Sequence, residues 1–416
     1  MIMMQGWKLK ILGEIAEVQS GGTPLTSRNE YWFGDIPWYS SGELDETFTK
    51  APKQLITPTG LKESNAKLFP KGSLLIGMYD TAALKMSILD RDAAFNQAIA
   101  GVRPNENIDL KFILFAVNSR KFEILKQRRG VRQKNLSLAK IKNIALPIPP
   151  LPEQQRIVAI LDEAFEGIDR AIANTEKNLT NSRELFESYL NAIFTQKGDG
   201  WKEKTLQDIL IVQPRNGWSP PANNHSDTGT PVLTLSSVTG FQFNKSKVKF
   251  TNAATKKDAH YWLKNGELLI TRSNTTELVG HVAICEGLFE ATICCDLIMK
   301  MQIDPKKADT KFIYWHLRTR ALRELITSSA QGANPTMKKI NKSIVQNLHV
   351  VLPQISVQKN IVVKVDKLAA DTQRLETIYR QKLAALNELK QSILQKAFTG
   401  ELTADTPKTV KEEIAA

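Results

Sequence analysis

The chain has 416 residues, 42% of them hydrophobic, and carries 56 Lys and Arg against 43 Asp and Glu, a net charge of +13. This is enough apolar material for two or three domains with their own cores, and the basic balance points to a polyanionic partner, nucleic acid above all. No apolar run approaches the roughly 18 residues of a membrane span, and the opening MIMMQGWKLKILGEIAEV has no signal-peptide pattern, so a cytoplasmic protein is expected.

In chain order, Trp7-Lys8 opens a short amphipathic stretch, LKILGEIAEV, followed by SGGTPLTSRNEYWFGD and DIPWYSS. The run KGSLLIGMY reads as a strand. KFILFAVNSRKFEILKQ reads as an amphipathic helix. A Pro-rich entry (Pro147, Pro149, Pro150, Pro152) then starts a long helical run that ends at Phe194. From Trp201 the order recurs. TPVLTLSSV, KVKFT and ELLITRS read as strands, KFIYWHLRTRALRELITS as a helix, and Pro353 opens a second long helical run to Phe398. Cys285, Cys294 and Cys295 sit in one segment with neither a disulfide framework nor CxxC spacing, so a reduced, metal-free chain is expected. The mixed order makes each globular region α+β. The expected boundaries are a first globular domain at 1–148, a long helix at 149–197, a second globular domain at 198–352, a second long helix at 353–400 and a flexible tail at 401–416.

The two halves are copies. Gln154 matches Gln358, Ile157 matches Ile361, Asp162 matches Asp366 and Phe194 matches Phe398, each 204 residues apart without a gap. An internal repeat of this kind decides the architecture. Upstream, Trp7 matches Trp201, Pro37 matches Pro231 and Gly72 matches Gly266 at an offset of 194, and Phe112 matches Phe312 at 200. Between these anchors the sequences diverge almost completely, so one scaffold carries two sets of loops. The first helix offers a seam at Leu161, Phe165, Ile168, Ile172, Thr175, Leu179, Ser182, Phe186, Tyr189 and Ile193. The second offers Leu368, Thr372, Leu375, Tyr379, Lys382, Leu386, Leu389 and Ile393. These heptad-like steps make the helices each other's partners. The order globule, helix, globule, helix predicts an antiparallel coiled coil with a globule at either end and a pseudo-twofold axis.

The chain at this point resembles, over nearly its whole length, the DNA specificity subunits of type I restriction-modification systems. The likeness is carried by the WKxxxLxxI openings, SGGTP with GDIPW, GSLLIG with FNQAI, LPIPPLPEQQRIVAILD and the closing AFTGEL. The second copy departs from the first, reading ISVQKN where LPEQQR stands. The resemblance implies two target-recognition domains that each read half of a split, asymmetric double-stranded DNA site. It implies helices that set the spacing and dock two methyltransferase subunits, with restriction (translocase and nuclease) subunits completing the complex. S-adenosylmethionine, ATP and Mg would then belong to those partners, with no cofactor in this chain.

Chemistry of the chain's own is not expected. The nearest match to a D/N/S-P-P-aromatic methyltransferase motif is Ser219-Pro220-Pro221-Ala222, which lacks the aromatic. A GxxxxGK(S/T) loop is missing, Glu388-Leu389-Lys390 offers an acid-x-Lys only within the helical seam, and the five histidines are scattered. A free-standing methyltransferase or nuclease with unrecognised motifs is the alternative, and a protein-only adaptor the third reading.

Candidate DNA-binding residues fall in two classes. Arg128, Arg129, Arg132, Lys134 and Asn135 form a basic polar stretch after a helix, and Asn334, Lys338 and Lys339 occupy the corresponding place. Such residues suit phosphate or bidentate base contacts, or else a solvated helix cap. The divergent loops offer Gly22, Thr23, Arg28, Trp38, Tyr39 and Tyr79 in the first domain, and Arg215, Asn216, Arg272, Ser273 and Asn274 in the second. For Trp38 and Tyr39 the competing reading is domain core, and for Arg272 and Asn274 a turn after a strand.

Overall fold

A computed structural model describes residues 6–103, 105–126, 135–196, 198–288 and 290–402. The chain is α+β and forms two compact units, one from residues 1–175 with 381–416, the other from 176–380. Each unit therefore combines one globular region with part of each long helix.

In the first unit, Lys8–Ile11 pairs antiparallel with Ala145–Ile148. A four-stranded sheet runs in the order Val18–Ser20, Ile99–Val102, Leu74–Gly77, Met86–Ile88. A three-stranded sheet places Trp32–Tyr39 between Gln54–Ile56 and Ala94–Phe95. Leu74–Gly77 is buried along its whole length, as expected for a continuous apolar run in mid-sheet. The helix Leu110–Ser119 packs on this sheet, and Asp109 caps it by accepting from the Lys111 and Phe112 N–H groups.

The second unit repeats the plan. Lys202–Thr205 pairs with His349–Leu352, and the four-stranded order is Leu210–Asn216, Ile298–Ile303, Leu268–Thr271, Val282–Ile284. Its three-stranded sheet is His225–Ser226, Val248–Thr251, Thr230–Leu233. Asp309 caps the equivalent helix, Thr310–Leu317.

The long helices are Leu151–Thr195 and Ile355–Thr399, 45 residues each. They pack antiparallel. In the first unit Ile157 and Leu161, near the start of one helix, share a core with Leu394, Ala397 and Phe398, near the end of the other. Further along, Asp169 meets Lys390 at 2.7 Å. Phe398 packs at a tilt against Phe112, which also meets Trp7. In the second unit Phe194 takes the place of Phe398, packing on Phe312 beside Trp201. Burying one such phenylalanine is worth about 1.5–3 kcal/mol, so each helix end is a substantial part of a globular core.

The seam differs from the spacing in one respect. Leu161, Ile168, Thr175 and Phe186 are buried, but Tyr189, Leu375 and Leu389 are exposed, and the inward positions are Leu190, Glu376 and Lys390. A straight helix turns every 3.6 residues, and a strict heptad drifts off the contact line. Polar residues take over there, and Arg183 grips Glu376 with two hydrogen bonds, 2.9 and 2.8 Å.

Candidate nucleic-acid interface

In the second unit, two groups of candidate residues far apart in sequence lie side by side. Ser273–Asn274 pairs antiparallel with Lys338–Lys339, Ser273 opposite Lys339 and Asn274 opposite Lys338. The Ile340 N–H donates to the Arg272 carbonyl (2.9 Å), and Gln331 and Lys339 exchange backbone hydrogen bonds of 2.8 Å. The Asn334 side chain accepts from the Thr336 N–H (2.9 Å), and the Lys338 ammonium donates to the Gly332 carbonyl (2.6 Å). Gly332 has φ +121°, open to glycine but not to other residues without strain. Asn334 and Lys338 thus shape the loop, Ser273 is buried, Arg272 and Asn274 are half-buried, and Lys339 is exposed.

Arg215 and Asn216 end the strand Leu210–Asn216, opposite Lys300 and Met299, after a register shift that accommodates buried Pro214. Arg215 is exposed, while the Asn216 Oδ1 is buried without a partner among the described residues. Beneath them the Lys300 ammonium lies 2.7 Å from Glu267 in a buried ion pair. Burial pushes the Cys285 thiol up to about 12 and Cys295 up to about 11, so both stay protonated at neutral pH. No cluster of His, Cys, Asp and Glu able to hold a metal occurs among the described residues.

The first unit shares one of these backbone hydrogen bonds. The Leu136 N–H donates to the Met78 carbonyl (2.8 Å), which sets half-buried Asn135 near exposed Tyr79 as Lys339 is set near Ser273. Arg128, Arg129, Arg132 and Lys134 lie outside the described residues. Gly22 is buried where the chain crosses residue 65, and a Cβ there would lie 2.2 Å from the Asn65 backbone. Thr23 donates to the Gln97 amide oxygen (2.5 Å). Arg28 is half exposed but engaged, bonding the Tyr31 hydroxyl (2.9 Å) and lying within 4 Å of Glu30 and Glu63.

For Trp38 and Tyr39 the core reading holds. Trp38 is buried with its indole N–H on the Gly22 carbonyl (3.0 Å). Tyr39 is 1% exposed, and its hydroxyl donates to the Lys50 carbonyl (2.7 Å). Tyr39 is enclosed in the core, whereas Trp38, although buried, also lines a cavity beside Phe33. The spacing missed Phe33, which stands 89% exposed at φ +64°. Strand alternation would put Tyr31 and Phe33 on one face. Tyr31 instead closes a 3-10 turn and is buried, while Phe33 sits at positive φ in a bulge, which local pattern does not reveal.

The same scaffold thus occurs twice, with different side chains at corresponding loop positions. The family model described as "Type I restriction modification DNA specificity domain" matches residues 4–180 and again 198–385. The chain belongs to this family. It is the non-catalytic DNA specificity subunit of a type I restriction-modification system. It is 28% identical over 434 residues to the EcoKI specificity subunit of Escherichia coli K12, covering 96% of this chain and 90% of that one. It is 32% identical over 199 residues to the EcoR124I/EcoR124II specificity subunit of Escherichia coli, a match spanning 43% of this chain and 48% of the relative. Among solved structures, the HsdS subunit of Thermoanaerobacter tengcongensis shares its fold, with TM-score 0.57, 18% identity and coverage of 96% and 98%. A chain from a study of type I complex assembly and conformational transition matches with TM-score 0.78 at 18% identity, covering 96% and 99%. No described helix of the specificity subunit is long and apolar enough to cross a membrane.

Proposed function

We propose that each unit of this specificity subunit reads one half of a bipartite, asymmetric double-stranded DNA site, and that the antiparallel helices fix the spacing between halves. The observation that carries this reading is the duplicated clasp. Gln154 accepts from the Asp109 N–H (2.9 Å) and donates to the Pro149 carbonyl (2.9 Å), and Gln358 does the same with Asp309 and Pro353 (2.8 and 2.8 Å). One scaffold is thus joined to its helix in one way twice, while the residues at the candidate interface differ. Two copies of one scaffold carrying unlike residues suit two unlike half-sites.

Arg272, Asn274, Lys339 and Arg215 are the proposed contacts in the second half, and Thr23, Tyr79 and Asn135 in the first, with Arg128, Arg129, Arg132 and Lys134 proposed from sequence. Arg and Asn can pair bidentately with base edges, whereas Lys serves phosphates. Two methyltransferase subunits dock on the helices, whose exposed apolar residues include Leu185, Tyr189, Leu375, Ile378 and Leu389. Restriction subunits complete a cytoplasmic complex, in which S-adenosylmethionine, ATP and Mg reside on the partners. Mapping methylated positions in the host genome with and without this chain tests the reading. Loss of a two-part motif supports it, and methylation of DNA by the purified chain alone would overturn it in favour of a free-standing enzyme.

A further inference from the structure

We propose that the first unit receives one unstacked nucleobase in a pocket beside Phe33, with the Phe33 ring entering the stack; this rests on the DNA-reading function above. Phe33 is the most exposed large apolar side chain among the described residues, at 89%. Its backbone lies at φ +64°, a region that a bulky residue seldom occupies without a purpose.

The tip is rigid. Trp32 meets Trp38 edge-on with centroids 5.3 Å apart, and its indole N–H donates to the Leu25 carbonyl (3.2 Å). Thr57 N–H donates to the Tyr31 carbonyl (2.9 Å), and Gly34 is pressed so close that a Cβ would lie 2.5 Å from the Ile56 carbonyl oxygen. The strand shifts register between Trp32 and Ile36, a bulge that re-aims the residue it carries. The ring is therefore held outward and cannot fold back into the core.

Beside it lies a cavity of about 470 Å³, walled by Trp32, Phe33, Trp38 and Leu55. Asn29, Gln54 and Lys53 also line it, and none of its lining residues is a carboxylate. Aromatic walls stack on a base face, amides pair with a base edge, and a lysine suits the adjoining phosphate. A phenylalanine wedge that parts a base step uses the same geometry. Counted from Pro37 and Pro231, the place of Phe33 in the second unit is taken by Asp227, so only one half-site should show the effect.

The test uses the chain assembled with its methyltransferase partners and duplexes carrying a fluorescent base analogue at each position of the site in turn. Emission should rise at one position in the half-site read by the first unit and at none in the other. Phe33→Ala should abolish that rise and weaken binding about 10-fold. Phe33→Asn, which tolerates the left-handed backbone, should do the same, and Phe33→Trp should restore part of it. An abasic nucleotide at the responding position should be bound equally by the wild type and Phe33→Ala. Unchanged emission on a bound cognate duplex, or full affinity of both ring-deletion variants, would overturn the proposal. So would loss of methyltransferase assembly in the variants, which would make Phe33 a protein contact. A wild-type complex that does not prefer its cognate duplex over a scrambled one would instead fail the DNA-reading function itself.

Discussion

The Gln154 carboxamide bonds the N-cap residue of a different helix, Asp109, and Gln358 bonds Asp309 in the same way 204 residues later. Both glutamines are buried, so neither hydrogen bond competes with water. Replacing Gln154 with Leu leaves the Asp109 N–H and the Pro149 carbonyl without their partner, at a cost of about 2–3 kcal/mol. Gln358→Leu should cost about the same, and the double variant about the sum, because the sites share no partner. Denaturant titration monitored by circular dichroism reads this directly.

Glu376 ties the two long helices together in the second unit. The Arg183 guanidinium holds its carboxyl below the ordinary range. A carboxyl lowered in the folded state contributes stability above its unfolded pKa and loses it as pH falls through the folded value. Acidification below about pH 4 should therefore loosen this contact, and Glu376→Gln should flatten the acid limb while costing about 1 kcal/mol or less at neutral pH. Thermal melts across pH 3–7 would show it.

Much of this scaffold was legible before any coordinates. The 204-residue repeat matched Gln154 with Gln358 and Phe194 with Phe398, and those four residues clasp the helices to the globules. The periodicity of the long helices was also visible, but not where polar residues take over the inner line. Leu389 fits the heptad yet faces out, because Lys390 turns in to meet Asp169. The interface was less legible for a different reason. Phe33, Trp38 and Tyr39 lie in one strand, and only tertiary packing buries the last two and leaves the first outside. Ser273–Asn274 and Lys338–Lys339 are far apart in sequence, and their pairing is a long-range event that local pattern does not encode.

Lys300 and Glu267 form a buried ion pair in the second unit. Removing one partner, as in Lys300→Met, strands a charge and should cost about 3–5 kcal/mol. Pairing it with Glu267→Leu should recover most of that loss. Urea unfolding of the single and double variants checks the coupling.

Arg272 and Lys339 should separate into base and phosphate roles. Arg272→Ala is expected to relax selectivity at one half-site, by about 1–3 kcal/mol of discrimination. Lys339→Ala should weaken binding to all sequences about equally and reduce the salt slope by about one. Lys338→Ala should act differently from Lys339→Ala, loosening the 332–338 loop, because its ammonium holds the Gly332 carbonyl. Binding titrations with cognate and half-scrambled duplexes at several salt concentrations resolve the three.

The division of labour between the two units is most directly tested by methylation mapping in cells that carry a chimera. Residues 201–352 would be exchanged for the corresponding region of a related specificity subunit, with both long helices kept. One half of the methylated motif should change, while the other half and the spacing between them stay as they were. A motif altered in both halves, or left wholly intact, would contradict a chain that reads its site with two independent heads.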